Sequence, residues 1–284
     1  MSNNGYFFSL ENGASISLGR HHFELSAVQT SSLAFGTVAA YICLVIWASR
    51  TSWWHPTMRS WKKFHYAALF LYSAFAMACA LYHVLQSGEL QEFTLWALGS
   101  QAVALPRLLC TPVPAWLRAV SLTFTLSKVW EWVDTLELFS KGKSVGSIGI
   151  LHLYHHATTT LLFLIVSSFP VTEKAGMLLN GGVHTIMYYH FAFRLPKVLR
   201  PAITVMQIIQ LAVVTCAWPL AASVCPECSV YFNANPLSFH IIWLTAPMYF
   251  VLFVKFYVDS YCSNSKAEVK DGERWQLSSE HKVL

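Results

Sequence analysis

The sequence predicts an all-α integral membrane protein with seven transmembrane helices, and three observations predict it. Of 284 residues, 55% are hydrophobic and only 12% are charged, about half the charged share usual in a soluble domain. Apolar runs long enough to cross about 30 Å of hydrocarbon recur near 31–50, 64–87, 116–139, 148–168, 174–194, 202–224 and 239–262. Basic charge alternates between successive connections. One set carries Arg50, Arg59, Lys62 and Lys63, then Lys141 and Lys143, then Arg194, Lys197 and Arg200, then Lys266, Lys270, Arg274 and Lys282. The opposite set carries only Arg20, Arg107, Arg118 and Lys174. Positive loops stay cytosolic, so the N-terminus is expected outside the cytosol, the C-terminus inside it, and the number of spans is odd. The net charge of +5 is then a topology signal and implies no nucleic-acid partner. The expected division is an N-terminal lumenal segment 1–30, a membrane domain 31–262 and a cytosolic tail 263–284.

The first run starts about thirty residues in and lacks a short apolar region with a small-residue cleavage site, so it reads as a retained span. The first two spans carry little beyond apolar bulk, with Tyr66, Tyr72, Tyr82 and His83 read as packing residues. The third holds Lys128, Glu131, Asp134 and Thr135. A lone charge at the bilayer centre costs about 2.5–3.5 kcal/mol on insertion scales, so these charges must pair, face water or lie near an edge. Lys128 and Glu131 are one helical turn apart, and a purely structural ion pair is the competing reading.

The fourth span opens with His152, His155 and His156, which share one arc of a helix turning about 100° per residue. Asn180, His184 and Tyr188 recur every four residues on the fifth span, and Thr204, Gln207 and Gln210 every three on the sixth, each set on one helix face. The expected topology brings these groups, Asn180 excepted, to one depth in the cytosolic half of the membrane. That is the requirement for a shared pocket, although a polar network that only holds helices together is the alternative. Of the seven cysteines, Cys43, Cys79, Cys216 and Cys262 lie in or at the ends of spans, where Cys serves as a small apolar residue. Cys110, Cys225 and Cys228 lie in the two long lumenal connections. An oxidising lumen allows one disulfide there, Cys110 with Cys225 or Cys228, and the sequence does not choose.

Imidazoles can bind metal, move protons or attack as nucleophiles through an acyl-imidazole. A His-x-x-His-His box also occurs in membrane di-iron desaturases and hydroxylases. Such enzymes need about eight histidines in three boxes, whereas beyond this box only His184 and His190 are suitably placed. No metal site is therefore expected. A seven-span receptor would not need ionisable residues grouped on four helices.

The residues resemble the very-long-chain fatty acid elongases, the 3-ketoacyl-CoA synthases of the endoplasmic reticulum. The family's Lys-x-x-Glu-x-x-Asp-Thr matches Lys128, Glu131, Asp134 and Thr135, and its His-x-x-His-His matches His152, His155 and His156. Its His-x-x-Met-Tyr-x-Tyr-Tyr matches His184, Met187 and Tyr188, with His190 and Phe191 replacing the last two tyrosines. Its Thr-x-x-Gln-x-x-Gln matches Thr204, Gln207 and Gln210. The resemblance implies condensation of malonyl-CoA with a long-chain acyl-CoA, without a bound cofactor. It further implies helices 2–7 around an acyl tunnel and a ping-pong course in which His155 is acylated. His184 would assist His155 or stabilise an enolate, with His152, His156 and Asp134 setting tautomers and positions. Lys141, Lys143, Arg194 and Lys197 are candidates to hold the CoA phosphates. A tunnel crossing the hydrocarbon would close near Trp218, Leu220, Phe239 and Trp243. The reductases and dehydratase of an elongation cycle are the expected partners beside the bilayer, and a homodimer is compatible with the resemblance.

Overall fold

The computed structural model describes residues 5–9, 13–18, 21–52, 55–99, 107–166, 169–226, 229–230, 233 and 235–262. Cys228 and the tail 263–284 lie outside the described residues, as do the side chains of Arg59 and Lys197. Four helices are long and apolar enough to cross a membrane: Ala27–Arg50, Ser60–Gln86, Arg200–Val224 and Pro236–Cys262. Ile150–Val166 is apolar but shorter. The chain is a multi-pass, almost wholly helical membrane protein.

The N-terminal segment, expected only as a lumenal stretch before the first span, carries strands. Strands β1 (Gly5–Ser9), β2 (Gly13–Leu18) and β3 (His21–Leu25) form an antiparallel sheet in that order, with Tyr6 opposite Ile16 and Ile16 opposite Phe23. Helix α1 (Ala27–Arg50) follows at once, four residues before the expected start of the membrane domain. Its boundary is set by a capping box: Ser26 Oγ accepts from Gln29 N at 3.3 Å, and Ser26 N donates to Gln29 Oε1 at 2.9 Å, satisfying two otherwise orphan donors.

The rest of the chain forms α2 (His55–Gln86), α3 (Glu89–Ala97), α4 (Arg107–Cys110), α5 (Ala115–Trp130), α6 (Val133–Ser140), α7 (Val145–Ile148), α8 (Ile150–Val166), α9 (Met177–Phe193), α10 (Arg200–Val224) and α11 (Pro236–Tyr257). The apolar run at 116–139 is thus two helices. Around Glu131 and Trp132 the backbone bonds skip three residues, with Trp132 N to Val129 O at 3.1 Å and Asp134 N to Glu131 O at 3.0 Å. In that tighter winding residues i and i+3 eclipse, which stacks Lys128, Glu131 and Asp134 on one side. The run at 174–194 also departs from a simple helix, opening with a π turn over Thr172–Gly176.

Helix α2 packs along α9 and against α5, α9 on α10, α10 on α11, α11 on α8, and α8 on α5, closing a ring; α1 lies outside it, on α8 and α6. The α2–α9 contact is close because α9 offers glycine: a Cβ on Gly181 would stand 3.2 Å from both Met77 Cβ and the Ser73 carbonyl.

One end of the ring is tied covalently and ionically. Cys110 is bridged to Cys225, 115 residues away, with Cα atoms 5.3 Å apart. Beside it Lys174 Nζ donates to Glu89 at 2.8 Å and to the Arg107 carbonyl at 2.7 Å. Arg118 is paired with Glu173 at 2.9 Å, and Arg107 with Glu92 at 2.6 Å. Every described basic residue assigned to the lumenal side therefore has an acidic partner. Interior prolines Pro219 and Pro247 meet across a small void lined also by Trp218 and Trp243.

Candidate active site

The ring encloses a cavity of about 670 Å³, reached by α6, α8, α9, α10 and α11, a size within the roughly 300–1,000 Å³ usual for small-molecule sites. Its walls include Glu131 and Asp134, His152, His155 and His156, Asn180, His184 and Tyr188, and Thr204, Gln207 and Gln210. From Glu131 to Gln210 these residues, 79 positions apart in the chain, share one space because the helix faces carrying them turn inward. Among the described lining residues there is no cysteine or serine.

Lys128 and Thr135 do not line the cavity; they stand directly behind residues that do. Lys128 is 1% exposed and its Nζ donates to Glu131 Oε1 at 2.7 Å and to Asn180 Oδ1 at 3.0 Å. The same Glu131 oxygen lies 3.2 Å from His184 Nδ1, a contact out of line for a hydrogen bond. That carboxylate therefore acts on His184 through charge, favouring a proton on Nδ1 and leaving the Nε2 lone pair for chemistry. Thr135 shares hydrogen bonds with His152 Nε2 at 3.0 Å and with Tyr41 OH at 2.9 Å. His152 and His156 rings are 4.3 Å apart, and Trp132 Nε1 donates to the His156 carbonyl at 3.1 Å.

His155 meets aromatic neighbours: its ring centroid is 5.1 Å from Tyr249 and 6.2 Å from Phe253. The Tyr249 hydroxyl is itself bonded to Thr158 at 2.7 Å. His155 thus sits in an apolar part of the wall with a fixed polar rim. Among the described residues no cluster of three or more His, Cys, Asp or Glu is arranged to hold a metal ion.

The basic rim differs from the expected one. Lys141 lines the cavity, but Lys143 and Arg194 are exposed and are not part of its wall. Arg194 ends α9 in a left-handed conformation (φ 58°) as the chain turns away. Arg200 and Lys255 take their places in the wall, with Asp259 and Tyr261. Arg200 had been read only as a topology signal, and Lys255, inside an apolar run, gave no separate signal. The sequence reading also missed His65 and Tyr41, which belong to no recurring polar motif on their helices. His190, where the elongase pattern has tyrosine, lines the cavity with a buried Nδ1 that has no hydrogen-bond partner among the described residues.

Fold and site together define a multi-pass α-helical membrane protein with a histidine-lined internal cavity. Residues 26–269 match the ELO (GNS1/SUR4) family, and the chain belongs to that family. It is 32% identical over 161 residues to "Fatty acid elongase 1" of Trypanosoma brucei brucei, covering 52% of this chain and 51% of that one. It is 31% identical over 150 residues to "Long chain fatty acid elongase 2" of Caenorhabditis elegans, covering 49% and 52%. Against "Very long chain fatty acid elongase 1" of Mus musculus identity is 27% over 203 residues, 66% of each chain. The matched stretch thus spans about half of the first two relatives and under two thirds of the third.

Proposed function

We propose that the protein is a fatty acid elongase of the 3-ketoacyl-CoA synthase type, working by a ping-pong course through His155. The observation that carries the reading is the convergence of three histidines of α8, His184 of α9 and the Lys128–Glu131 pair on one membrane cavity. An acyl-imidazole hydrolyses readily, so it is useful only where water is scarce, and a pocket between membrane helices supplies that. With neither cysteine nor serine in the described wall, imidazole is the nucleophile on hand.

In the first half-reaction a ring nitrogen of His155 attacks the acyl-CoA carbonyl. The N–C bond forms, the C–S bond breaks, and the ring N–H proton leaves with the thiolate as free CoA. Malonyl-CoA then loses carbon dioxide, and the resulting enolate attacks the acyl carbon. The new C–C bond forms as the N–C bond breaks, and the ring nitrogen of His155 takes up one proton from solvent, the proton that the overall condensation consumes. His184, oriented by Glu131 with its hydrogen on Nδ1, presents its Nε2 lone pair to take the proton from His155 and pass it to the leaving thiolate. His152 and His156 hold the box in place through Thr135 and the Trp132 contact. No bound cofactor enters. Lys141, Arg200 and Lys255 at the mouth suit CoA phosphates, and Lys143, Arg194 and Lys197 stay as further candidates.

This reading takes seven spans, counting α5–α6 and the π turn with α9 as the third and fifth, with the ring of helices 2–7 around the acyl chain. It puts the disulfide end in the lumen of the endoplasmic reticulum, because a disulfide needs an oxidising compartment, and the mouth with the C-terminus in the cytosol. The 3-keto product then requires reductases and a dehydratase as consumers. Incubation with acyl-CoA and no malonyl-CoA should release close to one CoA per active chain and add one acyl mass to a peptide containing His155. His155→Ala should abolish both signals. Absence of any adduct in wild type, with condensation intact, would rule out the ping-pong course; an adduct on His156 or His184 would move the nucleophile.

A further inference from the structure

The cavity wall rests on a buried residue outside all four sequence motifs. His65, on α2 and 3% exposed, lies between two partners that leave it no freedom. Its Nδ1 is 2.9 Å from Trp130 Nε1, and its Nε2 is 2.6 Å from Asp134 Oδ1. Indole N–H is a donor only, so Nδ1 must accept. The ring hydrogen then resides on Nε2, which donates to Asp134. A proton on both nitrogens would set a donor against a donor at Trp130. The second oxygen of Asp134 accepts from Tyr188 OH at 2.9 Å. Asp134 is consequently an acceptor at both oxygens, fixed from α2 on one side and α9 on the other, while lining the cavity.

We propose that His65 is a positioning residue for acyl transfer: locked in one tautomer by Trp130, it holds Asp134 as a fixed carboxylate in the wall of the cavity that also contains His152, His155 and His156. The inference rests on the acyl-transfer reading of the cavity. Attack by a neutral imidazole on a thioester builds positive charge on the ring until its proton leaves. A carboxylate whose position is set in advance favours that charge without reorganising. Trp130, half exposed on the outer face, has its indole N–H satisfied by the same contact, as a lipid-facing polar group requires. His65 cannot itself relay a proton in this arrangement, which separates it from the histidines of α8.

The test uses the full chain in nanodiscs. Nitrogen-15 spectra of histidine-labelled protein, with the His65 signals identified by their loss in His65→Gln, should show a single neutral tautomer protonated at Nε2. Trp130→Phe removes the donor that opposes a second proton while Asp134 still requires one at Nε2, so it should add a doubly protonated signal. In elongation assays His65→Phe should lower kcat by about tenfold or more, with KM for acyl-CoA moved less than about twofold. His65→Gln, whose amide can accept from Trp130 and donate to Asp134, should recover most of the rate. A wild-type signal protonated at Nδ1, or folded His65→Phe with wild-type kcat, overturns the proposal. If His65→Phe does not fold, an unchanged spectrum together with an unchanged kcat in Trp130→Phe overturns it equally. Wild-type protein that neither releases CoA nor elongates would instead defeat the elongase reading, and the tautomer spectrum would be read independently.

Discussion

At each end of the helix ring a fully buried lysine meets a buried glutamate at nearly one distance, 2.7 Å for Lys128–Glu131 and 2.8 Å for Lys174–Glu89. What surrounds them differs. Each lysine has one further acceptor, Asn180 Oδ1 for Lys128 and the Arg107 carbonyl for Lys174, but the nearest imidazole to Glu89, His83, stands off at 3.9 Å. Glu131 instead lines the cavity and touches His184 at 3.2 Å. The same ion pair is thus a tie at one end and the back of a reactive group at the other. Burial and pairing alone do not distinguish structural charge from functional charge; a third partner that opens on a cavity does.

Matched substitutions break the comparison most strongly. Glu131→Gln and Glu89→Gln each strand a buried ammonium, which costs about 3–5 kcal/mol when a buried pair loses one member. Both should lower the melting temperature to a similar extent. Only Glu131→Gln should also reduce kcat, by about 10²–10⁴, since it removes the group that orients His184. Equal kcat values per folded molecule for the two variants would refute the division of roles.

The disulfide sharpens the comparison from the tied side. Cys110 and Cys225 are 115 residues apart, and cross-linking so long a loop stabilises by about 4–5 kcal/mol on the chain-entropy estimate. The double variant Cys110→Ser, Cys225→Ser should melt markedly lower while retaining wild-type kcat at temperatures where it is folded. A fall in kcat comparable with that of Glu131→Gln would mean that the two ends are mechanically coupled.

Legibility from sequence follows the same division. Residues of the site recur with helical spacing in apolar runs, so Glu131, Asp134, the three histidines of α8, His184 and the glutamines of α10 were readable as one face each. His65 and Tyr41 belong to no recurring polar motif on their helices, and only tertiary packing brings them to Asp134 and Thr135. The ion pairs of the tied end join residues 15 to 85 apart, without any local period. The break at Glu131–Trp132 follows no Pro or Gly and is visible only in its backbone bonds. By contrast β2, with Ala14, Ile16 and Leu18 alternating with Ser15 and Ser17, and the Ser26–Gln29 cap both carried ordinary local signals.

A smaller effect should come from the α2–α9 contact that supports His184 one turn away. Alanine at Gly181 places a Cβ 3.2 Å from Met77 Cβ and from the Ser73 carbonyl, whereas alanine at Gly182 meets only the flexible Met77 Sδ at 3.4 Å. Overpacking against backbone costs about 1–3 kcal/mol, offset by up to about 1 kcal/mol of helix propensity. Gly181→Ala should therefore melt slightly lower with a reduced kcat, and Gly182→Ala should be neutral or stabilising. Identical behaviour of both would show that α9 can shift freely against α2.

The smallest effect belongs to the exposed edge of the tied end. Arg107 donates twice to Glu92, at 2.6 and 2.7 Å, and these hydrogen bonds hold the Glu92 carboxyl below its usual range. A carboxyl with a lowered folded value contributes stability above its unfolded value and loses that contribution as pH falls through the folded one. The gap in melting temperature between wild type and Glu92→Gln should accordingly be present at neutral pH and close in acid, below the ordinary glutamate range. It should be small throughout, because solvent and salt screen an exposed pair and because Arg107 keeps its bond to the Ser87 carbonyl at 2.8 Å. A gap that stays constant with pH would show that Glu92 acts by packing and not by charge. A gap as large as that from Glu89→Gln would remove the contrast between the buried ties of this end and its exposed rim.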